Sequence, residues 1–147
     1  MRIPPEELKK GIETSLKFLQ RAGLKVLDIR PNFVKLSLPL QDNENHLGIM
    51  YAGALFTIAE VPGGALCFST FDASKFFPVA KEVNIKFLKP AKTDVTIEIS
   101  MDPAESARIE KEATETGKSE FIIEGEIMNV SGDIVAVSRG VYQLRKI

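Results

Sequence analysis

Glu60 has the clearest capacity for chemistry in this sequence. It is the single formal charge in the apolar stretch from Asn45 to Phe71, NHLGIMYAGALFTIAEVPGGALCFSTF. A carboxylate stripped of water and left without partners costs several kcal/mol, so something must solvate it, pair it or use it. Taken as a helix from about Ala52, the run puts Gly53, Thr57, Glu60 and Gly64 at i, i+4, i+7 and i+11, on one stripe. The other sides carry Leu55, Ile58, Ala59 and Leu66. A wall of small residues lets a ligand or a second backbone approach closely. No Ser, Thr, Asp or Asn stands just before Ala52, where an N-cap is expected. The first-turn N–H groups are therefore open to a carbonyl oxygen or an anion. A carbonyl held by the Gly53 N–H would lie within reach of Glu60. That pair suits acyl transfer, with donors stabilising an oxyanion while the carboxylate attacks or activates water. A structural reading stands beside it: Lys81, Lys86 or Arg139 pairs with Glu60, and the glycines serve only close packing.

The elements that position this run follow from periodicity and breakers. Pro4 and Pro5 open a first helix with Glu6 and Glu7 against its dipole. Leu8, Ile12, Leu16 and Leu19 share a face, which predicts one helix stopping at Gly23. Strands are expected over Leu24–Arg30 and Phe33–Leu40, with Val34, Leu36, Leu38 and Leu40 on one face. After the central run, Val79–Lys89 sets Val83, Ile85 and Phe87 on one side, and Thr93–Met101 alternates cleanly. Asp102-Pro103-Ala104-Glu105 reads as a helix start, with Gly117 as the stop. Ser119–Val130 and Ile134–Arg145, joined by Ser131-Gly132-Asp133, read as a hairpin. The order α-β-β-α-β-β-α-β-β predicts an antiparallel sheet covered by the apolar run. Pro62 removes a hydrogen bond to Ile58, so the run either continues as a kinked helix, the favoured reading, or ends with Ala65–Phe71 as a strand.

Composition narrows the classes. The chain has 147 residues, with 19 Lys and Arg against 20 Asp and Glu, which argues against a nucleic-acid surface. One domain over 1–147 is expected. Cys67 is the only cysteine, without a basic neighbour in sequence, so core packing is its expected role and a reducing compartment fits. MRIPPEELKK lacks a signal-peptide core, and Glu60, Pro62 and Gly63-Gly64 interrupt any membrane span. A soluble cytoplasmic protein is expected, with neither membrane nor nucleic acid as partner. No ligand cluster predicts a metal site.

The segment Asn45-x-x-Gly48-x-x-Tyr51-Ala52-Gly53-Ala54-Leu55-Phe56-Thr57-Ile58-Ala59-Glu60 resembles the signature of the hotdog-fold thioesterase superfamily. Its phenylacetate-pathway-like branch reads Asn-x-x-Gly-x-x-His-Gly-Gly before an apolar helix carrying Asp or Glu. Glu82–Ala91 is similar to that family's strand after the helix. The resemblance implies an α+β hotdog fold: a long central helix wrapped by a curved antiparallel sheet of five to six strands, here with an extra N-terminal helix. It implies a homodimer joined edge to edge, or a dimer of dimers, with sites at the interface. Acyl thioesters of coenzyme A are the implied substrates, with no separate cofactor. By position, Glu60 is the implied general base or nucleophile, Gly53 the N–H donor to the carbonyl, and Asn45 a contribution of the opposite subunit. Tyr51, Ala52 and Thr57 are the expected substrate contacts.

Tyr51 and Ala52 depart from the pattern where the family has His and Gly. Tyrosine can donate a hydrogen bond but cannot share a proton near neutral pH as histidine does. This form is similar to a branch known mainly by its fold, and it keeps a non-catalytic acyl-CoA binder as an alternative. His46, the only histidine, lies 14 residues before Glu60. That spacing is similar to the His and Glu of hotdog hydroxyacyl dehydratases, a lesser alternative, because the chain lacks their Phe-Pro-Gly motifs.

Overall fold

The computed structural model describes residues 2–147. In chain order the elements are α1 (Pro5–Thr14), α2 (Lys17–Ala22), β1 (Lys25–Arg30), β2 (Phe33–Leu38), α3 (Ala52–Thr70), β3 (Phe76–Phe87), β4 (Val95–Ser100), α4 (Pro103–Thr116), β5 (Lys118–Asn129) and β6 (Ile134–Lys146). Six strands form one antiparallel sheet in the order β1-β2-β4-β5-β6-β3. The alternation read from the sequence sets the inner face. Val34, Leu36 and Leu38 pair with Ile99, Ile97 and Val95, and all six are buried. α3 packs against every strand of the sheet, as expected of a wrapped central helix.

Chain punctuation behaves as its chemistry requires. The Asp102 carboxylate accepts from the Ala104 N–H at 2.8 Å to start α4, and Gly117 ends it at φ 92°. In the β5–β6 turn the Asn129 side-chain oxygen accepts from the N–H groups of Ser131 and Asp133, and Gly132 takes φ 82°. β3 begins at Phe76 rather than Val79, because its pairing with β6 extends to Phe76↔Lys146.

The N-terminal segment corrects one expectation. It is two helices, broken where Leu16 takes φ −98°, ψ 112°. The hydroxyls of Thr14 and Ser15 donate back to the carbonyls of Lys10 and Gly11, a local competition that favours ending a helix turn. Leu8 and Leu19 are buried as the shared face predicts, but Leu16 is 60% exposed. α1 is tied to the sheet edge through Glu13, whose carboxylate accepts from the Val26 N–H at 2.9 Å.

α3 runs unbroken through Pro62 for 19 residues, which removes the alternative of a strand from Ala65. By length and hydropathy it matches a membrane span, yet 67% of that window is buried inside the fold. Its register on the sheet is set at Gly63. A Cβ there would overlap the ring of Tyr142, and so would one at Gly140 on β6. Tyr142 is 2% exposed and stacks on Phe121 with ring centres 5.8 Å apart, so it cannot step aside. At the far end of α3, Thr70 Oγ1 accepts from the Asn32 N–H in the β1–β2 turn at 3.0 Å. Gly63→Ala is expected to lower unfolding stability by about 1–3 kcal/mol through overpacking, measured by urea denaturation. An unchanged midpoint would show that the ring has room to move.

Candidate active site

Gly53, Thr57 and Glu60 do share one face of α3, and the structure supplies the wall opposite them. α2 and the break before it bring Leu16, Lys17, Phe18 and Leu19 against Gly53, Phe56, Thr57, Glu60 and Val61, enclosing a cleft of about 420 Å³. Gly53 and Glu60 stand two turns apart, about 10 Å along the axis. Helical side chains lean toward the N-terminus, so the Glu60 carboxylate closes part of that gap from below.

The helix start is uncapped by any side chain, as its sequence predicts. No backbone or side-chain acceptor among the described residues meets the Gly53 N–H. Thr57 Oγ1 donates to the Gly53 carbonyl at 2.8 Å, which fixes its hydroxyl inside the first turns. The Tyr51 ring lies against Gly53 in the place a Cβ would take, and is 59% exposed.

Glu60 is half-buried and makes no ion pair or side-chain hydrogen bond with any described residue. The structural reading therefore loses its cation. Lys86 and Arg139 line a groove with Lys35, Glu98 and Glu124, and the strand pairing places Asn84 and Lys86 beside Arg139 and Val137, away from Val83 and Ile85. Burial alone raises the Glu60 carboxyl above its ordinary value of 4.5. One group missed in the sequence holds its backbone. The Tyr142 hydroxyl donates to the Glu60 carbonyl at 3.0 Å, one residue from the turn that Pro62 weakens. Burial, then the nearby Glu60 carboxylate, hold the Tyr142 phenol in its protonated, donating form. Gly140, two residues earlier on the same strand face, was the available signal. Cys67 is buried and its thiol is pushed up to about 12, consistent with a packing role.

Asn45 and Ala52 lie elsewhere within this chain. They line a second cleft of about 330 Å³ with Ile49, Met50, Leu55 and the segment from Phe87 to Ala91. The Asn45 side-chain oxygen accepts from Leu47 N–H at 2.8 Å and Ile49 N–H at 3.3 Å, so it shapes the loop. No acceptor meets its amide NH₂ among the described residues. His46 is exposed and lines neither cleft beside Glu60. Lys89 pairs with Asp133 at 3.2 Å. No group of three His, Cys, Asp or Glu among the described residues could hold a metal ion.

Residues 6–144 match the family model described as a domain of unknown function, DUF4442. A Pseudomonas aeruginosa protein of unknown function, described as a probable thioesterase, is 42% identical, with 100% of this chain and 99% of that chain aligned at a TM-score of 0.96. The chain belongs to the DUF4442 family. Its fold is the hotdog fold of the thioesterase superfamily. A Chlorobaculum tepidum protein of unknown function shares that fold at 19% identity and TM-score 0.84, over 97% of this chain and 94% of its own. A Haemophilus influenzae thioesterase shares it at 13% identity and TM-score 0.75, over 99% and 93%. No curated protein matches the sequence.

The unpaired carboxyl of this DUF4442 chain has a consequence for stability. Its folded pKa lies above the unfolded value, so between about 4.5 and that raised value the native state holds more protons than the unfolded state, and stability falls as pH rises across that window. Glu60→Gln is expected to be more stable than the parent protein at neutral pH. The two should converge in acid, where both side chains are neutral. Thermal unfolding from acid to neutral pH checks this, and parallel Tm curves would remove the desolvation account.

Proposed function

We propose that this protein is a thioesterase that hydrolyses acyl-coenzyme A to a free acid and a thiol. The observation that carries the reading is a half-buried carboxyl without a partner, sharing a cleft with an unoccupied helix-start N–H at Gly53. The thioester carbonyl oxygen accepts from that N–H, where the helix dipole favours developing negative charge. Glu60 takes a proton from water as the water oxygen bonds to the carbonyl carbon. The C–S bond then breaks, and the leaving thiolate takes the proton back from Glu60. A carboxylate whose pKa is raised by burial is the stronger base for the first step, and the thiolate is basic enough to recover the proton in the second. Direct attack by Glu60, through an anhydride that water then opens, gives the same products.

The site is proposed to be completed by a second copy of the chain. β3 is twelve residues long and carries no strand on its outer side, with Phe77 and Phe87 exposed. Such an edge is a template for pairing. Asn45, whose amide NH₂ is unused, lies in a cleft apart from Glu60 and is proposed to reach the partner's carbonyl or water. Coenzyme A thioesters fit a cytoplasmic location. A non-catalytic acyl-CoA binder is the second reading, favoured by the Tyr51 ring that stands against Gly53.

Purified protein offered a panel of acyl-CoA esters should release free thiol, and Glu60→Gln should cut kcat by roughly 10²–10⁴-fold. The activity of the parent protein should rise with pH through a midpoint above 4.5, the ordinary value for Glu60. Acyl-CoA binding without thiol release would select the binder instead. A mixing experiment tests the shared site. Asn45→Asp keeps the oxygen that holds the loop and removes the amide donor. Equal mixing of inactive Asn45→Asp and Glu60→Gln chains should restore about a quarter of parental activity, one intact site in each mixed dimer. No recovery after subunit exchange would place both residues outside a common site.

A further inference from the structure

The Glu60 carboxyl borders a second cleft as well as the one it shares with Gly53. On the other side of Leu16 and Leu19, α1 and α3 enclose about 420 Å³ between Ile3, Leu8 and Ile12 on one wall and Gly64, Ala65 and Phe68 on the other. The two spaces have Leu16, Leu19, Glu60 and Val61 in common, so they adjoin at the Glu60 carboxyl. The lining is apolar apart from Glu60, Ser15 and Glu7, and the last two are exposed to water.

Gly11, in the middle of α1, makes the vacancy specific. Glycine inside a helix is destabilising relative to alanine, and is normally explained by a turn or a crowded contact. Neither applies: a Cβ at Gly11 would meet nothing within 4 Å, and its φ is not positive. Gly64 faces the same cleft from α3, and a Cβ there would only touch Pro78 at ordinary contact distance. Two helices thus give up side-chain volume on facing walls of one apolar space, and the protein's own packing requires neither omission.

We propose that the cleft between α1 and α3 seats the acyl chain, and that the substrates are thioesters of medium-length apolar acids. The hydrolysis part rests on the thioesterase reading; the binding part does not. An apolar tail here leaves the carbonyl at Gly53 and the thiol portion on the α2 side of Glu60. Charged or strongly polar acyl groups are excluded by the apolar walls and by the Glu60 carboxylate at the entrance.

The test uses the full chain and Gly11→Leu, which fills the cleft from α1 with a good helix former, with Gly11→Ala as the one-methyl control. In the parent protein kcat/KM should rise roughly fourfold per added methylene from acetyl- toward octanoyl-CoA. In Gly11→Leu the octanoyl-to-acetyl ratio should fall by about tenfold or more, the loss of some two buried methylenes, while circular dichroism stays parental. Binding is read separately by calorimetry of decanoyl-CoA on Glu60→Gln, with and without Gly11→Leu. Weakened decanoyl-CoA binding supports the subsite even if no thioester is hydrolysed, in which case only the thioesterase reading fails. An unchanged chain-length ratio together with unchanged binding overturns the subsite and leaves the thioesterase reading standing. A Gly11→Leu protein that loses its dimer by light scattering, with binding intact, overturns it too and assigns the cleft to contact between copies.

Discussion

The approach of α3 to the sheet is fixed by one aromatic ring lodged between two glycines. Tyr142 occupies the side-chain space that Gly63 and Gly140 leave empty, and Phe121 closes its remaining face. That contact sets how deep the helix lies and how far it is rotated, because neither glycine wall admits a methyl group. Rotation decides which residues face the sheet and which stay open. With Gly63 turned inward, Gly53 and Glu60 are left half-buried, bordering the cleft under α2. The phenol adds direction to this packing, since its hydroxyl bonds the Glu60 carbonyl. A buried ring with one polar tip can fill a core and hold a single backbone atom together. Here the atom it holds belongs to the one ionisable residue of the helix's outward side.

The open side is then covered from a different direction. α1 and α2 cover it with the buried Leu8 and Leu19, and the break at Leu16 separates the two short helices beside α3. One straight helix over the same residues would have buried Leu16 on the face of Leu8 and Leu19. The break turns that residue outward, and the space beside Glu60 falls into two adjoining clefts. Glu13 keeps this cover in place by bonding the backbone of β1, which also shields that edge of the sheet. The opposite edge, β3, has no such cover. The fold therefore presents one protected edge and one pairing-competent edge.

Much of this was legible because it is local. Alternating apolar residues in β2, β4 and β5, the Asp102 cap and the Gly117 stop each reflect chemistry within a few neighbours. The strand order is not local: β3 and β4 follow one another across the Pro90 turn, yet β3 pairs with β6 and β4 with β2 and β5. The face carrying Gly53, Thr57 and Glu60 was legible for the same reason. What escaped depends on contacts across the chain. Continuity through Pro62 is the favoured reading of the sequence, yet a strand from Ala65 stays open there, because burial of the whole helix, which outweighs one lost hydrogen bond, is a tertiary effect. Tyr142 carries no local mark beyond Gly140. The break at Leu16 comes from hydroxyls bonding back to carbonyls, and Thr14-Ser15 reads equally well as helix continuation. The separation of Asn45 from Glu60 is a fact of tertiary placement that spacing along the chain does not contain.

The unpaired state of Glu60 does not arise from a shortage of cations. Lys17 lines the same cleft as Glu60, yet its ammonium donates to the Gln20 side chain at 3.2 Å. A lysine has ample length to turn inward, and a half-buried carboxylate beside it would gain from the pairing. Pairing would also lower the carboxyl's proton affinity, and two ordered side chains would fill the space between Gly53 and Glu60. The arrangement keeps the cleft empty and the carboxyl basic at the expense of stability. A core helix selected only for packing would carry an apolar residue at this position, since its neighbours Ala59 and Val61 already are. The carboxyl, the vacant N–H at Gly53 and the omitted side chains at Gly11 and Gly64 all withhold something from the fold beside two clefts that share Glu60, which is the pattern the proposed substrate site requires.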